Sequence, residues 1–163
     1  MQHSPSAAQI ISSLGLEPLP EEGGFFRQTW HNATGTAIYF LITPDGFSAL
    51  HRLNRDEIWH FYAGDAVDHV QLDPATGSLR RVRLGADVLG GEQPQLVVPA
   101  GVWQGARLAV ADVGRSDSAR KGFALMGCTM SPGWDAAGFT LGARAELERA
   151  FPDGAEFIRD LTR

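Results

Sequence analysis

From Thr36 to Met130 the chain is a succession of short runs that read as strands, each closed by Gly, Pro or a small polar cluster. "TAIYFLIT" is rich in β-branched and aromatic residues, which suit a pleated and half-buried surface. "FSALHRL", "EIWHFYAG", "AVDHVQLD", "LRRVRLG", "QLVVPAG", "VWQGARLA" and "GFALMGCTM" follow at close spacing. "PATG" between two of them is a hairpin signal. Many short strands with such punctuation indicate an all-β sandwich or barrel of roughly eight to ten strands. "FFRQTW", after the turn "PLPEEGG", reads as the first strand, so the barrel is expected over about residues 24–131, with "GFALMGCTM" as its last strand.

Helical patterns flank the barrel. "SPSAAQIISSLG" predicts a helix over about residues 5–14, with Ser4 as cap, Pro5 in the first turn and Gly15 as stop. Its apolar face would be Ile10, Ile11 and Leu14. The tail predicts two helices over about residues 143–162, broken at Pro152-Asp153-Gly154. Leu147, Phe151, Phe157, Ile158 and Leu161 would cover part of the sheet. No linker divides the 163 residues, which fit one domain.

A net charge of -5 argues against nucleic acid or an anionic membrane as partner, since both reward a basic patch. The densest basic stretch, "SLRRVRLG", alternates and reads as a solvated strand face. The chain shows no apolar run of membrane-spanning length and no signal-peptide pattern, so the cytoplasm is the expected compartment. Cys128 is the only cysteine and reads as a small core residue.

The stretch "GFSALHRLNRDEIWHFYAGD" carries the chemistry. Read as two antiparallel strands around the polar turn "NRD", it puts His51 and Leu53 on one face. Glu57, Trp59 and Phe61 share a face on the second strand, where Glu57 can approach His51 across the turn. His60 then points the other way, unless a bulge brings it into the pocket. Phe40, Trp59 and Trp103 read as core or pocket wall, with Trp103 placed to lie over a planar or sugar-like ligand. Arg27, a charge within an aromatic strand, reads as an exposed residue or as a clamp for an anionic group.

This stretch resembles the first motif of the cupin superfamily, Gly-x5-His-x-His-x3–4-Glu-x6-Gly. It matches at His51, Glu57 and Gly64, and departs at Leu53, which stands for the second His, and at Gly46, one residue too close. "VVPAGVWQGARL" resembles the second cupin motif at Pro99 and Gly101, with Gln104 where that motif has His and Leu108 where it has Asn. With "EEGGFFRQTW", "DEIWHFYAGD", "PAGVWQGA" and "AFPDGAEFIRDL", nearly the whole chain resembles the small cupin family labelled cupin 5. The resemblance implies a double-stranded β-helix, or jelly-roll barrel, a homodimer, and a pocket for a small molecule. It implies no activity, because fold does not fix function.

Three readings follow. The first is small-molecule binding around His51, Glu57 and Gln104, with metal-independent epimerase or isomerase catalysis on a small carbonyl or sugar-like compound as its reactive form. His51, oriented by Glu57, would be the base, and Tyr39 or Tyr62 the acid. The second is a non-catalytic cupin that binds or senses a metabolite. The third is a cupin enzyme holding a divalent metal weakly through His51, Glu57 and Gln104, with His60 in reserve; Leu53 removes a nitrogen ligand from that set.

Overall fold

The first helix, α1 (Ala7–Leu14), begins two residues later than its sequence suggests. Ser6 is the cap: its hydroxyl accepts from the Gln9 amide and the Gln9 side chain returns to the Ser6 amide, so two orphan donors are satisfied reciprocally. Pro5 precedes the helix, and Ser4 lies outside the residues that the structure describes. Those are residues 5–110 and 120–163 of this computed structural model. Gly15 ends α1 in the left-handed region, at φ 60°.

Among the described residues eleven strands follow: β1 (Glu17–Pro18), β2 (Phe25–Asn32), β3 (Gly35–Ile42), β4 (Ser48–Leu53), β5 (Glu57–Gly64), β6 (Val67–Asp73), β7 (Ser78–Leu84), β8 (Gln95–Val98), β9 (Trp103–Leu108), β10 (Ala124–Met130) and β11 (Phe139–Leu141). They form a six-stranded sheet in the order β1-β2-β3-β10-β5-β8 and a five-stranded sheet in the order β11-β4-β9-β6-β7, antiparallel throughout. This is the all-β architecture expected from the pattern, and the jelly roll that the cupin resemblance implies. The β6–β7 hairpin forms over "PATG" as read. β10 is not the last strand, because β11 returns to the edge of the second sheet beside β4.

One expectation is corrected here. β4 and β5 are not a hairpin: β4 pairs with β9 and β11, and β5 with β10 and β8. The turn between them carries the chain from one sheet to the other. Its polar groups bond elsewhere, the Asn54 amide to the Gly138 carbonyl and the Asp56 carboxylate to the Ala100 amide. His51 and Glu57 therefore meet across the barrel interior.

Phe40, Ile42, Trp59, Val67, Leu84, Leu96, Ala106 and Met126 fill the space between the sheets. The helix α1 packs Ile10, Ile11 and Leu14 with Leu41, Phe123 and Tyr39 on the outer face of the six-stranded sheet. The helices α2 (Arg144–Ala150) and α3 (Ala155–Asp160), with a 3-10 turn at Pro152–Gly154 between them, lay Leu147, Phe151, Ile158 and Leu161 on Leu50, Val70 and Leu72 of the other sheet. Covering both outer faces confines the accessible interior to the barrel. The arginines of β7 lie on an edge strand, where Asp68 accepts from Arg83 and the Arg81 guanidinium sits over Phe157. Among the described residues no helix is long and apolar enough to cross a membrane.

Candidate functional site

A cavity of ≈ 570 Å³ opens at one end of the barrel. Its walls are mainly apolar, including Phe26, Ile38, Phe40, Leu53, Met130, Trp134 and Phe139, and its polar groups include His51, Glu57, Glu22, Gln28 and Thr36. Size and composition are those of a small-molecule site.

A bulge in β4 sets the imidazole. Ser48 pairs with Ala106 and His51 with Gln104, so two residues on β4, Ala49 and Leu50, oppose one on β9, Gly105. Side chains three apart, which simple alternation would put on opposite faces, therefore both point inward. The Ala49 carbonyl, inside the bulge, lies 2.7 Å from His51 Nδ1. A carbonyl only accepts, so Nδ1 carries a proton, and in the neutral ring Nε2 is the nitrogen with the lone pair, turned to the cavity. The ring is 2 % exposed and stacks on Phe139 at 5.3 Å. The expected orienting role of Glu57 thus belongs to a backbone carbonyl.

Glu57 enters from the opposite sheet. Its Oε2 accepts from Gln104 Nε2 at 2.7 Å and from Trp59 Nε1 at 3.0 Å. The same indole also donates to Gln104 Oε1 at 2.9 Å, which closes a buried triangle. Burial pushes the carboxyl up to about 7; the charge of His51 opposes this, that of Glu22 adds to it, and the two hydrogen bonds oppose it. Glu57 is therefore a proton donor as well as an acceptor near neutral pH.

Of the residues expected at the pocket, the cavity brings together His51, Glu57 and Phe40. Gln104 and Trp59 stand one layer behind, buried against Glu57. Four pocket positions are corrected. Tyr39 alternates with Phe40 and lies outside the barrel under α1. Arg27 pairs with Tyr39 on that outer face, its guanidinium 5.5 Å from the ring centre, and is no clamp for a cavity anion. Trp103 follows the same logic beside Gln104: it faces the C-terminal helices, with Arg52 4.8 Å above its ring. His60 bonds Thr129 and Gln95, and burial lowers its pKa. The bulge of β5 falls at Tyr62, beyond His60, so it does not turn His60 inward.

Two inward groups escaped the sequence reading. Glu22 sits in what read only as the turn "PLPEEGG". Ser48 donates to its Oε1 at 2.7 Å, and its Oε2 stands 3.9 Å from His51 Nε2. Arg163 bonds the carbonyls of Glu21 and Glu22, fixing the loop from the far end of the chain. His69 on β6 is fully buried, edge-on to Trp59 at 4.9 Å, and among the described residues neither ring nitrogen has a hydrogen-bond partner. Burial drives its pKa down to about 3, against the influence of Gln104, so it is a neutral core residue. Cys128 is buried, and burial, then Glu57 and Glu22, push its thiol well up, which suits the core role expected of it.

The residues do not fit the metal that a cupin resemblance implies. His51 Nε2 is oriented as a ligand would be, but Leu53 is an apolar wall where a second imidazole would stand. Gln104 spends its oxygen on Trp59 and its amide nitrogen on Glu57. Among the described residues no three His, Cys, Asp or Glu side chains are grouped to hold a metal ion.

The family model described as "Cupin superfamily (DUF985)" matches residues 8–142. A hypothetical protein from Leishmania major is 30% identical, with a TM-score of 0.86 over 97% of this chain and 99% of its own. A protein from Shewanella oneidensis is 32% identical, with a TM-score of 0.85 over 100% of this chain and 99% of its own. A variant of Bacillus subtilis oxalate decarboxylase, 14% identical with a TM-score of 0.57 over 90% of this chain and 37% of its own, shares the fold alone. No curated protein matches the chain. With its bulge-set His51, its Glu57 and its two-sheet barrel, the chain belongs to the DUF985 family of the cupin superfamily.

Proposed function

We propose that the protein binds a small, apolar-bodied molecule in this cavity and moves a proton on it between His51 and Glu57 without a metal. That is the chemistry of an isomerase or epimerase acting on a small carbonyl compound. One observation carries the reading: two buried titratable side chains from opposite sheets face one apolar-walled cavity. His51 Nε2 is the base and the Glu57 carboxyl, raised to about 7, is the acid. Nε2 takes the proton of a C–H next to the carbonyl, and the C–H electron pair moves into the carbonyl. Glu57 gives its proton to the oxygen, leaving an enol, an imidazolium and a carboxylate. Return of the protons to the other face, or to the neighbouring carbon, restores both side chains. The same reading takes the protein as a homodimer, which analytical ultracentrifugation checks.

Phenylacetone in D₂O is the probe. Wild-type protein is expected to wash deuterium into its α-positions at least about tenfold faster than His51→Ala, with no change after EDTA treatment, as NMR would record. Equal rates in the two proteins overturn proton transfer. Binding of the ketone without exchange would make the protein a binder only.

A further inference from the structure

We infer that the ligand of this cavity carries a positive charge, a protonated amine on an apolar body. The inference rests on the reading of the cavity as a ligand site and specifies what enters it. Among the described residues the carboxyl groups lining the cavity are those of Glu21, Glu22 and Glu57, of which Glu57 keeps its proton up to about 7, and no lysine or arginine lines it. Nearby guanidiniums are engaged elsewhere: Arg55 with Asp135 and Arg163 with the loop carbonyls. An anionic ligand would therefore meet the largely buried Glu22 carboxylate, with His51, already beside Glu22, as the one described lining side chain able to take a positive charge, a costly arrangement away from water.

Glu22 supplies the specific contact. Ser48 fixes its Oε1, while Oε2 points toward His51 at 3.9 Å, too far for a hydrogen bond. Among the described residues Oε2 has no hydrogen-bond donor, and the carboxylate is only 16 % exposed. An N–H donor of the ligand would complete it. Trp134 and Phe139 line the same space, and aromatic rings also attract a cation, although one face of Phe139 is stacked on His51. A divalent metal would relieve the same negative charge, but it needs ligands grouped around one point, which these residues do not provide. An ammonium group needs only one well-placed acceptor and a tolerant wall.

Isothermal titration with phenethylamine, phenethyl alcohol and phenylacetate tests this with one body and three charges. The amine is expected to bind at least about tenfold tighter than the alcohol, and phenylacetate weakest of all. Glu22→Gln should bring the amine and the alcohol to similar affinities, with its unfolding curve and circular dichroism showing that the variant is folded. The inference is overturned if the alcohol or phenylacetate matches the amine, if Glu22→Gln leaves the preference intact, or if none of the three binds. Exchange into phenylacetone reports separately on proton transfer. Loss of the amine preference with exchange retained overturns the charge assignment alone, and loss of exchange with the preference retained overturns only the catalytic reading.

Discussion

Glu57 is buried with two donors on a single oxygen, and burial still wins, holding its proton up to about 7. A carboxyl in the unfolded chain titrates near 4.5, so between the two values the folded protein holds a proton that the unfolded chain has released. Stability from this group is therefore full below pH 4.5 and falls as pH rises toward 7. Between pH 5 and pH 8 the wild type should lose about 2.5 kcal/mol relative to Glu57→Gln, measured by urea unfolding of both. Trp59→Phe removes the indole donor shared by Glu57 and Gln104 and should cost about 2 kcal/mol while raising the Glu57 pKa further. The inward positions of His51, Glu57, Trp59 and Phe40 were legible, because strand alternation and burial follow one period. The same period, applied strictly, puts Trp103 opposite Gln104, outside the cavity; the adjacency of the two letters suggested a shared pocket that the pleat forbids.

At the scale of elements, the site depends on two irregular features. One is the β4 bulge, which aligns Ser48 and His51 on the inner face. The other is the loop after β1, where Glu21 and Gly24 adopt positive φ, at 63° and 74°, so that Glu22 turns back over the barrel. A methyl group at Gly24 would stand 2.8 Å from the Phe40 ring and 2.9 Å from the Leu41 carbonyl. Gly24→Ala should therefore destabilise the protein by about 2 kcal/mol or more and weaken amine binding, as unfolding and titration would show. Neither irregularity has a period to read. The sequence offered only a Gly pair after two acids and a polar turn, and such signals mark a turn without saying which sheet the next strand joins. Hence the β4–β5 connection read as a hairpin, although it is a crossing between sheets. The hairpin over "PATG" was legible, because there alternation on both sides and the turn agree.

At the scale of the whole molecule, two buried groups shape the pH profile in opposite senses. The folded protein resists protonating His69 until about pH 3, whereas the unfolded chain takes that proton near 6.5, so stability falls as pH drops through this range. Glu57 loses stability in the other direction, from 4.5 up to about 7. The two slopes oppose each other between 4.5 and 6.5, giving a plateau there and, from these groups, decline on either side. Thermal unfolding across pH should show that plateau, and His69→Leu should lose most of its acid limb. The barrel itself was legible because nine short runs and three flanking helical patterns agree with one architecture. The organisation of its interior was less so, since His69 and Glu22 sit in segments whose patterns announce only a strand and a turn. The central claim is that this interior holds an organic ligand and no metal. Native mass spectrometry of wild type and His51→Ala, purified without chelators, tests it most directly. A wild-type subunit carrying an organic mass that His51→Ala lacks and that EDTA does not remove is the predicted result; one metal ion per subunit, or the same bare mass in both proteins, would contradict it.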